Sequence, residues 1–170
     1  MQRLLLLLFS LMMLSGCTTF TQIRLDAEVN RRCREDAGLK IYETVPTAPE
    51  NFSKYGKPKF FHMKQGENAL GPEYKFIYKN TFYHGGYVRV SYGEVLGSPS
   101  VWKTHIQVLR RADNKLLGQS ISYSRYGGDP GWATTLTPGV PESSYDCPEK
   151  DIGEWLLVEK IFINTAKSQP

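Results

Sequence analysis

The chain has 170 residues, of which 41% are hydrophobic, 22% charged and 12% aromatic, with a formal net charge of +4. These values lie close to ordinary globular composition, so neither disorder nor a multi-span membrane protein is indicated. The small, scattered positive balance does not point to a nucleic-acid partner.

The first residues differ from the rest. Arg3 supplies a short positive start, Leu4 to Leu14 is apolar apart from Ser10, and Ser15-Gly16 follows. This is the layout of an export signal. The apolar run is about half the roughly 20 residues a helix needs to cross a bilayer, so a cleaved segment is expected over 1–16 rather than a permanent span. Residues 17–25 read as a short polar tether, and 26–170 as one domain.

From Asp26 to Ala37, Val29, Cys33 and Ala37 recur four apart among Glu28, Arg31, Arg32, Arg34 and Glu35, which predicts an amphipathic helix. Asp26 suits its N-cap, and Gly38 a left-handed exit. Leu39 to Val45 alternates until Pro46 and predicts a strand. Residues 46–72 hold four prolines and three glycines and read as loop pinned by Phe52, Tyr55, Phe60 and Phe61.

The pattern is plainly β from Tyr74. The alternation that starts at Tyr74 and the segment Tyr87 to Tyr92, interrupted by His84-Gly85-Gly86, predict one hairpin, and Trp102 to Arg111 with Leu116 to Arg125 about Asp113-Asn114-Lys115 predict another. Gly127-Gly128-Asp129-Pro130-Gly131 and Thr137 to Pro148 read as irregular. The segment from Ile152 to Ile163 suits a helix followed by a strand, or a strand alone. The fold expected is α+β: an antiparallel, twisted sheet of about five strands, with the N-terminal helix packed on it and long Pro/Gly loops.

Little of the chemistry announces itself. Ser98 and Ser100 sit in a Gly/Pro turn rather than a nucleophile elbow, and His62, His84 and His105 show no metal-ligand spacing. No cofactor or metal is expected. His84 and Asp129 lie beside glycine pairs, and with Arg125 they are the binding candidates, although those glycines also serve simply to turn the chain. The aromatics Tyr74, Phe76, Tyr78, Phe82, Tyr83, Tyr87 and Tyr92 fit either a core or a stacking surface.

Leu14-Ser15-Gly16-Cys17 resembles a bacterial lipobox. The resemblance implies diacylglyceryl transfer to the Cys17 thiol, cleavage after Gly16 and further acylation by a palmitate-like chain. Membrane lipid, held through Cys17, is then the first partner, and Thr18 in place of Asp favours the outer membrane, facing the periplasm. Removing Arg3 with the signal leaves 20 basic against 17 acidic residues. With Cys17 used for lipid, Cys33 and Cys147 remain in a compartment that permits disulfides, and a bond between them is expected over two separate buried thiols.

Three stretches, residues 33–45, 117–129 and 143–148, are similar to segments of small uncharacterised proteobacterial lipoproteins. That resemblance carries no activity, and it agrees with pairing Cys33 and Cys147. The function expected is a non-enzymatic envelope accessory or protein-binding domain, with an envelope protein as partner. The alternative is a periplasmic hydrolase or metal-assisted enzyme acting on an envelope component through His84, Asp129 or nearby polar residues.

Overall fold

The longest pairing joins β6 (Ser100–Arg110) to β7 (Leu116–Tyr126) as the expected antiparallel hairpin. At its turn Asn114 adopts φ 55°, and the Asp113 carboxylate accepts the Lys115 N–H at 3.1 Å. Asn tolerates that conformation and Asp closes the turn locally. These features belong to a computed structural model, described over residues 20–90, 93–129, 142–150 and 152–167. The expected signal segment, Cys17, Tyr92 and the Gly131 and Thr137–Pro138–Gly139 positions lie outside the described residues.

Around this hairpin stands an antiparallel sheet in the order β1 (Gly38–Ile41), β7, β6, β3 (Tyr74–His84), with β8 (Ser144–Cys147) also on β7. β1 pairs with residues 118–121 of β7 and β8 with residues 123–126, so the two short strands follow each other along one edge. The fold is α+β, with about five strands and an N-terminal helix, as the alternating pattern predicts.

Several local expectations are corrected, among them residues 144–147, read as irregular, which form β8. Helix α1 occupies 20–36, so residues 20–25 are helix rather than tether, and Leu25 is buried in the core. The segment read as one strand over 39–45 breaks after Ile41. Val45 opens β2 (Val45–Thr47), which runs parallel to β9 (Phe162–Asn164) in a sheet of two strands. Pro46 sits inside β2, which a strand with only one neighbour tolerates.

Residues 74–84 do not pair with 87–92. β3 pairs with β6, while β4 (Tyr87–Val90) and β5 (Gly93–Leu96) form a separate two-stranded excursion. The register shifts between Phe82 and His84, and Gly85 and Gly86 both have positive φ, so the chain swings off the main sheet here. Helix α1 covers one face of the sheet as expected, and the opposite face is covered as well. Leu25 and Val29 of α1 pack on Val101, Ile121 and Tyr123. The opposite face carries Phe76, Ile106, Val108 and Leu117 against Phe61, Leu70 and helix α2 (Glu154–Ile161).

For Ile152 to Ile163, helix followed by strand is the outcome. Leu157, Val158 and Ile161 share one helical face and are fully buried, while Glu154 in the first turn and Lys160 in the last complement the helix dipole. Gly118 makes room for them: a Cβ there would lie 3.0 Å from Ile161 Cδ1 and 3.0 Å from the Lys40 carbonyl. Burying each such aliphatic side chain contributes about 1.5 to 3 kcal/mol.

Candidate functional site

Helix α1 meets the sheet through an apolar spine with a polar ladder on either side. The spine is Leu25, Val29 and Cys33. One ladder is Gln22, Asp26 and Asn30, spaced four apart and therefore stacked along one flank. Gln22 Nε2 donates to Asp129 Oδ1 at 2.7 Å and to Ser143 Oγ at 2.8 Å. Asp26 Oδ1 accepts Arg125 Nε at 2.6 Å, and Asn30 Oδ1 accepts the Tyr145 hydroxyl at 2.8 Å. Below Asn30 the sulfurs of Cys33 and Cys147 lie at disulfide distance, with Cα atoms 6.0 Å apart.

The other ladder is Glu28, Arg32 and Asp36. Glu28 pairs with Arg32 at 2.8 Å and with His84 Nε2 at 2.8 Å, while the Arg32 guanidinium lies 3.6 Å from the centre of the Tyr83 ring. Asp36 accepts Lys103 Nζ at 2.5 Å and the Tyr123 hydroxyl at 2.7 Å. Burial pushes the Asp36 carboxyl upward, but the bonds from Lys103 and Tyr123 and the Lys103 charge outweigh it and hold the group below its ordinary range. Glu28 behaves alike: burial opposes, and Arg32 and His84 prevail. The Tyr123 phenol moves the other way, raised by burial and then by the neighbouring Asp36 carboxylate.

The three binding candidates therefore all touch one interface, Arg125 and Asp129 within it and His84, still exposed, at its edge through Nε2. Arg125 is 3% exposed, and besides Asp26 its Nη1 donates to the Gly127 carbonyl at 2.5 Å and to Ser143 Oγ at 2.9 Å. Asp129 accepts the Ser143 N–H at 2.7 Å with the oxygen not engaged by Gln22. His84 stands in the same cross-strand row as Arg125, but Val101, fully buried, lies between them. Neighbouring strands are about 4.8 Å apart, so the imidazole and guanidinium backbones are roughly 10 Å from each other with no cleft between.

Asp26 is not the N-cap expected of it, because the helix is already under way at Phe20, and it serves Arg125 instead. The sequence carries one signal for these partners: polar residues at 22, 26 and 30 in step with the apolar 25, 29 and 33. Gly127 has the turn role its neighbours suggest. It adopts φ 73°, and a Cβ there would lie 2.0 Å from Ser98 Oγ. Ser100 likewise closes its turn, donating to the Gly97 carbonyl at 2.5 Å and accepting the Gly86 N–H.

One hollow of about 470 Å³ is lined by Ser144, Tyr145, Asp146, Cys147 and Glu149 beside this interface, and others lie away from it. On the α2 side a groove of about 420 Å³ is walled by Val45, Phe60, Leu70, Tyr74 and Phe162, and no histidine, cysteine or serine lines it. Phe60 and Tyr74 both meet the Phe162 ring edge-on, at 5.0 and 4.9 Å. Of the β aromatics, Phe76 is core, whereas Tyr78 and Tyr87 are exposed, with Phe82 bridging the Tyr87 and Trp102 rings. Among the described residues no group of three or more His, Cys, Asp or Glu side chains is placed to hold a metal. Compared with known proteins, the chain matches no family model, no curated protein and no solved structure.

Proposed function

We propose that the chain is a lipid-anchored protein of the bacterial envelope, held by Cys17 at the periplasmic face of the outer membrane, whose domain works by binding an envelope protein rather than by catalysis. One observation carries the binding half: Arg125 and Asp129 are engaged by α1 and the Ser143 segment, and His84, though exposed, has its Nε2 paired with Glu28 of the same helix. A general acid, base or nucleophile needs access to substrate, and Arg125 has none. Aromatic surface remains for a partner, with Tyr87 and Val88 exposed on the β4–β5 excursion and Tyr78 exposed midway along β3. Large aromatic side chains of this kind anchor protein interfaces at low entropic cost.

The anchoring half is supported by the Leu14-Ser15-Gly16-Cys17 motif. No described helix is long and apolar enough to cross a membrane. Two or three acyl chains, at roughly 0.8 kcal/mol per buried methylene, would hold the protein at the surface. The test is fractionation of cells expressing wild type and Cys17→Ser, with labelled palmitate. Wild type takes up label and sediments with membranes, and Cys17→Ser does neither. A labelled, membrane-bound Cys17→Ser protein would defeat the anchor. For binding, a photocrosslinking amino acid at Tyr87 should trap one discrete envelope protein in cells, whereas one at Arg31, on the far face of α1, should not trap it. Equal trapping at both positions counts against the aromatic surface.

A further inference from the structure

The outward face of α1 has a composition of its own. With 3.6 residues per turn, Phe20, Ile23, Arg24, Ala27, Arg31 and Arg34 fall within an arc of roughly 120° opposite the Leu25–Val29–Cys33 spine. All six are exposed, Phe20 at 68% and Ile23 at 60%. The apolar pair occupies the N-terminal turn and the cations continue along the helix. Arg31 is paired with Glu35 at 2.7 Å, and neither Arg24 nor Arg34 has an ionic partner among the described residues. Glu35, at the arc's margin, is the acid closest to this face.

We propose that this face of α1 is a membrane seat: Phe20 and Ile23 enter the border between headgroups and acyl chains, and Arg24, Arg31 and Arg34 lie over anionic phospholipid headgroups. The proposal rests on the anchoring reading above and adds an orientation to it. Two residues, Thr18 and Thr19, separate Phe20 from Cys17, a span of at most about 11 Å of extended chain. A lipidated Cys17 therefore delivers the exposed phenyl ring to the bilayer surface, where burying it costs nothing in lost alternatives. With two apolar side chains in its first turn and arginines beyond them, this face suits a shallow seat at headgroup level, and no described helix is long and apolar enough to cross the membrane. Arginine stems run along apolar surface while their heads reach phosphate.

Seated this way, α1, about 25 Å long at 1.5 Å per residue, lies flat on the bilayer. The sheet stands above it, and the opposite layer faces the periplasm. That layer holds α2, Tyr55, the exposed Tyr78 ring and the groove walled by Val45, Phe60 and Tyr74. The surface left for a protein partner is then the one the membrane does not cover.

The experiment uses the full processed lipoprotein, purified from membranes and placed in vesicles of phosphatidylcholine with or without phosphatidylglycerol. The acyl mass on the N-terminal peptide is measured first. Hydroxyl-radical labelling then compares Phe20 and Ile23 with Tyr55, which is 77% exposed on the far side. Phe20 and Ile23 are expected to be protected and Tyr55 to label freely, more sharply with phosphatidylglycerol present. Arg24→Gln/Arg34→Gln should lower the seated-to-lifted ratio roughly 30-fold on anionic vesicles and restore labelling at Phe20. If the acyl mass is present and Phe20 labels as readily as Tyr55, the seat is wrong while the anchor stands. If the acyl mass is missing, both fall. Protection that follows protein density rather than lipid charge assigns the face to a second copy and overturns the seat.

Discussion

Arg125 on β7 and Asp26 on α1 form an ion pair at 2.6 Å in which the arginine side chain is almost wholly removed from solvent. A charge in that position is tolerated because its Nε donates to Asp26 and its Nη1 to the Gly127 carbonyl and Ser143. Removing one partner of such a pair leaves an uncompensated buried charge, which typically costs about 3 to 5 kcal/mol. Asp26→Asn is expected near the lower end, since Asp26 is itself partly exposed. The double variant Asp26→Leu/Arg125→Met should recover at least part of the loss. Urea unfolding of the four proteins measures this, and equal midpoints for wild type and Asp26→Asn would show that the pair contributes nothing.

Asp36 makes stability depend on pH. Its folded carboxyl is held below the ordinary value of 3.8 by the Lys103 and Tyr123 bonds that outweigh burial. The folded state therefore binds the proton less readily than the unfolded chain. The contribution is fully present above the ordinary value and is lost as pH falls through the folded one. Wild-type urea midpoints should drop on acidification below about pH 5, the region where unfolded carboxylates begin to protonate. Asp36→Asn should be less stable at pH 7 and show a shallower decline. Parallel curves for the two proteins would remove Asp36 from the account.

Two glycines separate backbone strain from steric conflict. Gly66 has φ 57° with nothing within 4 Å of a built Cβ, whereas Gly127 has φ 73° and would press a Cβ onto Ser98 Oγ and Glu142 Oε2 at 2.0 and 2.1 Å. Gly66 combines φ 57° with ψ −125°, a backbone region essentially reserved for glycine, so Gly66→Ala should cost about 1 to 3 kcal/mol from backbone strain alone. Gly127→Ala should cost more and also disturb the Arg125 network through the Gly127 carbonyl. Thermal unfolding of both variants checks the order, and a Gly66→Ala protein the less stable of the two would contradict it.

The Cys33–Cys147 pair closes a loop with a sequence separation of 114. In the chain-entropy description such a bond stabilises by about 4 to 5 kcal/mol. Cys33→Ala/Cys147→Ala should therefore unfold at clearly lower urea, and native unreduced protein should show no free thiol from either residue. Two titratable thiols in the folded chain would refute the pairing.

Several features were legible in the residues themselves because their causes are local. The β6–β7 hairpin follows from alternation on either side of Asp113-Asn114-Lys115, and the α1 face from apolar residues four apart. The α2 helix was one of two open readings, and burial over Gly118 decided it, since only a helix puts Leu157, Val158 and Ile161 on one side. The start of α1 was missed by giving Leu25 to a tether, although its spacing from Val29 fits the same helical face.

What the sequence determined by itself is the set of short-range preferences: where the chain turns, which residues are apolar in step, and which motif precedes Cys17. Pairing over distance was decided only by the tertiary structure. Gly85-Gly86 marks a bend but not a partner, and β3 turned to β6 because eleven-residue strands bury more together than the short β4 could offer. In the same way His84, Arg125 and Asp129 are ordinary polar residues in the chain. Their role as fastenings exists only once α1 lies across the sheet and brings Glu28, Asp26 and Gln22 within hydrogen-bonding reach.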